Sequence, residues 1–262
     1  MRTTQQTVPT GVDRVFAPDN PNLRINGADD YTADVDVAVI DTGVDARHPD
    51  LTVVARTNCV NATSCTDNSG TDDHGHGTHV AGTIGARDDG AGVVGVAPGA
   101  RIWAVKVLGA NGSGQLSGVA AGVDWVAAHA GEIEVANMSL GCENCATDAL
   151  NQAISTAVGK GVVFAVAAGN NGKDARTFSP ANHPDVITVS ALADFNGAPG
   201  GERRPPAAPT RTTRSPRSAT SGPLWRSPRP APASTRPTRA ASTACSAAPR
   251  WPRRTSRARR RC

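Results

Sequence analysis

The sequence predicts an α/β fold for residues 1–201: three layers, with a mainly parallel sheet and helices on both faces. Two observations carry this reading. Short apolar runs rich in Val, Ile and Ala alternate with longer segments of helical period. Such alternation implies right-handed crossovers between parallel strands, which bury both faces of the sheet. The composition also breaks sharply. Through Gly201 there are 11 basic and 22 acidic residues, whereas 202–262 holds 16 arginines, no lysine and one acid. In that second stretch Leu224 is the only Leu, Ile or Val, so it cannot bury enough apolar surface to fold and is expected to be disordered. The overall charge of +4 therefore averages two unlike segments.

Taken in order, Val35–Ile40 is a buried strand that ends in Asp41. In open α/β sheets, active groups gather at the carboxyl ends of strands. Residues 55–73 are polar and read as a surface loop. The run HGHGTHVAGTIGA (74–86) reads as a tightly packed helix of small residues with a polar head that points a ring into a cleft. His76 could be a structural histidine. His76 and His79 could also suggest zinc, but their spacing of three without an intervening Glu departs from the HExxH pattern.

Beyond a turn-rich loop at 87–100, RIWAVKVL (101–108) is the next strand. Asn111–Gly114 breaks the chain, and 115–130 is helical. Strand 132–140, helix 146–158, strand 162–168 and strand 185–191 complete the alternation. Asn170 lies at the end of strand 162–168, where an asparagine is ordinarily turn chemistry. Cys59/Cys65 and Cys142/Cys145 form two short-range pairs that suit loop disulfides or free thiols. The CENC run could alternatively be a redox motif or half a zinc site.

The segments DVAVIDTGVDARHPDL (36–51), HGTHVAGTIGA (76–86), NMSLG (137–141) and VAAGNN (166–171) resemble the subtilisin-like serine peptidases, in that family's order. The resemblance covers about residues 5 to 201 and implies that family's fold and proteolytic activity on protein and peptide substrates. It implies that Asp41 orients His76, that His76 is the general base, and that the Asn170 amide binds the oxyanion. Gly112, Ser113 and Gly114 would pair with substrate main chain, with Ser139, Leu140 and Gly141 as the opposite wall. It also implies Ca²⁺, held by Asp50 and Asp89 with the carbonyls of Arg87, Ala91 and Val93. Members are usually made with a secretion signal and an inhibitory propeptide. The opening Met1–Gln6 is polar rather than leader-like, and QTVPTGVDRVFAP (6–18) resembles a mature start, so the parent protein is expected to be extracellular. No stretch approaches the ~18 apolar residues of a membrane span.

The family's nucleophile motif, GTSMAxPHVAG, is missing after Gly201, so the chain as written is expected to be inactive. A reading-frame shift accounts for the loss. Permissible codons for Ser246–Ala258, read one base earlier, encode Ser-Gly-Thr-Ser-Met-Ala-Ala-Pro-His-Val-Ala-Gly. The rival reading is a catalytically dead protein with a peptide groove, whose arginine-rich arm binds nucleic acid nonspecifically.

Overall fold

A computed structural model describes residues 5–192; the basic tail expected from Glu202 lies outside the described residues. In chain order the elements are α1 (Thr10–Arg14), β1 (Asp36–Asp41), β2 (Thr52–Asn58), β3 (Thr66–Asp67), α2 (His76–Gly85), β4 (Arg101–Lys106) and α3 (Leu116–Ala128). They continue with β5 (Val135–Met138), β6 (Cys142–Glu143), α4 (Asp148–Gly159), β7 (Val163–Ala167), β8 (Phe178–Ser179) and β9 (Ile187–Val189).

Among the described residues, seven strands form one sheet in the order β3-β2-β4-β1-β5-β7-β9. Every pairing in it is parallel except β2 with β3. The central strand β1 is buried along its whole length. Its alternating side chains feed two separate cores, as the period of two requires. Ala38 and Ile40 join the core under α3 and α4, which includes Val105, Met138, Phe164, Val123 and Ile154. Val37 and Val39 join the core under α2, with Ala81, Ile102 and Ala104. Helices therefore cover both faces, as the sequence predicts.

The structure corrects the expected loop at 55–73, because β2 runs through Asn58 and pairs with β4 across a bulge between Val53 and Ala55. β2 is half-buried on both faces, so it lacks a clean apolar alternation, and its β-branched Thr and Val residues are the only strand signal. Two further features were not expected: the short helix α1, and a two-stranded antiparallel ribbon of β6 and β8. Both short-range cysteine pairs are joined, Cys59 to Cys65 and Cys142 to Cys145. None of the helices of the described residues is long and apolar enough to cross a membrane.

Candidate active site

Asp41 is the last residue of β1 and is completely buried. The chain turns away at once through Gly43, whose φ of +97° favours glycine. A Cβ there would lie 2.5 Å from the Gly70 carbonyl oxygen. The turn sits directly against the first turn of α2, where a Cβ on Gly77 would strike the Gly43 carbonyl oxygen. Two glycines thus bring the end of β1 and the head of α2 into backbone contact. That contact is why residues 35 apart in sequence share a hydrogen bond.

The bond runs between His76 Nδ1 and Asp41 Oδ1, at 2.7 Å. The same Oδ1 accepts the Thr42 N–H at 2.7 Å. Asp41 Oδ2 is buried with no hydrogen-bond partner among the described residues. A buried carboxylate without a cation beside it is costly, and the ring of His76 is the group placed to become one. The acceptor at Nδ1 also fixes the tautomer, leaving Nε2 as the proton-accepting atom. The ring is not enclosed: its side chain is 45% exposed.

His76 opens onto a cavity of about 470 Å³. Its lining brings together Gly112, Ser113 and Gly114 with Ser139, Leu140 and Gly141, the six residues expected as groove walls. His74, Leu108, Cys142, Ser179 and Pro180 complete much of the surface, and none of these five was anticipated. Cys142 and Ser179 face it because β6 and β8 pair there. No sequence motif announces that two-residue ribbon. Asn170 stands exposed just past the C-terminal end of β7, outside the lining of this cavity. Among the described residues no serine hydroxyl is hydrogen-bonded to the His76 ring; Ser139 Oγ instead accepts from Asn137 Nδ2 at 3.0 Å.

Both carboxylates expected to hold calcium contact the backbone of the 87–93 loop. Asp50 Oδ1 accepts the Arg87 N–H at 2.9 Å, and Asp89 Oδ1 accepts the Ala91 N–H at 3.0 Å. Burial, opposed by the Arg87 N–H but aided by the neighbouring charge of Asp89, raises the pKa of Asp50 above the usual carboxylate value. A cation would relieve that repulsion, so the donor set fits a hard divalent ion. Among the described residues no cluster of three or more His, Cys, Asp or Glu side chains could hold a metal, so an ion at the 87–93 loop would take its remaining ligands from backbone carbonyls.

Comparison with known proteins agrees with this geometry. The sequence model of the Subtilase family, Peptidase_S8, matches residues 32–254, an interval that runs past Gly201 into the arginine-rich stretch. Subtilisin Savinase of Lederbergia lenta is 41% identical over 191 residues, covering 73% of this chain and 66% of that protein. Subtilisin E of Bacillus subtilis (strain 168) is 42% identical over 195 residues, covering 73% of this chain and 48% of that protein. An alkaline protease of Alkalihalobacillus alcalophilus is 41% identical over 194 residues, covering 74% and 47% respectively. The chain thus spans between about half and two thirds of the length of these curated relatives.

Proposed function

This chain belongs to the Subtilase family, and from that premise we propose that its site is the proton-relay and oxyanion half of a serine endopeptidase. The observation that carries the proposal is the 2.7 Å bond from the exposed His76 ring to the buried Asp41 carboxylate. In this mechanism His76 Nε2 removes the proton from a serine hydroxyl as the oxygen attacks the scissile carbonyl. Asp41 holds the ring and stabilises the imidazolium. The ring then returns the proton to the leaving amine. The Asn170 amide donates to the developing oxyanion, a contact whose loss in subtilisin costs about 10²–10³ in kcat. The two groove walls bind extended peptide through its main chain, so recognition depends little on sequence. Calcium held by Asp50, Asp89 and the carbonyls of Arg87, Ala91 and Val93 would pin the 87–93 loop and take no part in the chemistry.

We propose further that the nucleophile is lost from this chain by the frame shift, with 1–201 an incomplete peptidase domain and 202–262 the out-of-frame tail. The parent protein is then a secreted enzyme made with an inhibitory propeptide. A fluorophosphonate probe tests the reading. The chain as written stays unlabelled, whereas a variant with the reading frame restored from Glu202 onward is labelled at the motif's serine and loses that labelling with His76→Ala. Labelling of the unaltered chain at a single serine contradicts the loss of the nucleophile. Steeply salt-dependent nucleic-acid binding that disappears when 203–261 is removed would favour the rival reading instead.

A further inference from the structure

Asp72, two residues upstream of the histidine-rich run, makes more hydrogen bonds than either member of the relay pair. Its Oδ1 accepts the Thr42 hydroxyl at 2.9 Å, the His74 N–H at 3.0 Å and the Gly75 N–H at 2.8 Å. Its Oδ2 accepts the Thr78 N–H at 2.9 Å and the Thr78 hydroxyl at 2.6 Å. The first N–H groups of a helix have no partner within it. Gly75, at the N-cap of α2, has no side chain to supply one. Asp72 and Thr42 do so from outside: Asp72 takes the Thr78 N–H, and Thr42 Oγ1 accepts the Gly77 N–H at 2.9 Å. A negative charge at that end also complements the helix dipole.

Thr42 therefore joins both sides. Its N–H binds Asp41, and its hydroxyl bridges the head of α2 to Asp72. Its carbonyl accepts from the buried Lys106 Nζ at 2.6 Å, and Nζ also reaches Asp73 Oδ1 at 2.6 Å and the Leu108 carbonyl at 2.9 Å. Two consecutive carboxylates thus hold one turn from two directions, Asp72 through the threonine hydroxyl and Asp73 through the lysine.

We infer that Asp72 is a positioning residue: through Thr42 and the first turn of α2, it sets the distance and angle between Asp41 and the His76 ring. The inference rests on the relay reading given above. It is tested on the full chain by proton NMR of the His76 Nδ1–H, which a short bond to a buried carboxylate shifts far downfield and protects from solvent. Asp72→Ala and the near-isosteric Thr42→Val are expected to raise that proton's solvent exchange by about tenfold or more, the scale of one lost charge-assisted hydrogen bond. Thr42→Ser, which keeps the hydroxyl, should retain the protected signal. If the wild-type chain lacks the downfield proton, the relay reading itself fails. If the wild type shows it, and folded Asp72→Ala and Thr42→Val keep it unchanged while only melting earlier, Asp72 is a structural cap and the inference is overturned.

Discussion

At Gly77, one hydrogen atom in place of a methyl group decides whether the relay pair can form, because any Cβ would occupy the place of the Gly43 carbonyl oxygen. Gly77→Ala should destabilise the fold by about 1–3 kcal/mol, as overpacking generally does, measured as a lower midpoint in urea at unchanged slope. Asp72 gives a second prediction. Burial alone would raise its pKa, but hydrogen bonds from the Thr78 hydroxyl and from the Gly75, Thr78 and His74 N–H groups outweigh it and lower the value to about 2. A carboxylate with a depressed folded pKa contributes stability that is complete above its unfolded value, 3.8, and is lost as the pH falls through about 2. Asp72→Asn should therefore be less stable than wild type above about pH 4, with the gap closing toward pH 2, as denaturant melts at several pH values will show. Asp41 and His76 were legible in the sequence because each sits in a motif at a strand or helix boundary. Thr42 and Asp72 were not, since a threonine in a turn and an aspartate in a polar stretch look like ordinary loop chemistry until the fold brings them together.

Among the elements, the β6–β8 ribbon has the widest reach for its size. The Cys142–Cys145 bond closes a turn in which Asn144 has a φ of +53° and donates its N–H to the Thr177 carbonyl at 2.8 Å. Glu143 accepts from Lys173 Nζ at 2.6 Å, and a Cβ on Gly169 would lie 3.0 Å from the Phe178 ring. The ribbon therefore touches both the cavity wall and the loop that carries Asn170. Replacing both cysteines, as Cys142→Ser with Cys145→Ser, should raise hydrogen exchange at 169–173 while leaving the amides of β1 unchanged, a comparison that mass spectrometry resolves. The long apolar strands β1 and β4 and the helices α3 and α4 were readable from periodicity. β2 was hidden, because a strand half-exposed on both faces shows neither an apolar run nor an alternation. The ribbon was hidden because two residues cannot display a period.

For the whole molecule, the strand–helix alternation of the sequence was the clearest guide, because the described sheet and its covering helices follow it element by element. The N-terminal segment is fastened to the 87–93 loop, where Gln6 N–H donates to the Gly90 carbonyl at 3.0 Å and Thr7 N–H to the Gly92 carbonyl at 2.9 Å. Calcium at Asp50 and Asp89 would act on that junction and so on global stability. At about 100 times its Kd, one ion bound only by the folded state adds about 2.7 kcal/mol. Scanning calorimetry with and without calcium should show a higher Tm for the wild type and a smaller gain for Asp50→Asn and Asp89→Asn.

The strand order ranks the working parts by how long they survive. Among the described residues, Asp41 hangs from the middle of seven strands, with three on either side, whereas β7, which leads to Asn170, is followed outward by β9, whose side chains are all exposed. Fraying advances inward from an edge, so warming should loosen the backbone around Asn170 while the Asp41–His76 hydrogen bond is still intact. Followed by hydrogen exchange at rising temperature, the amides of β7 and β9 should lose protection before those of β1.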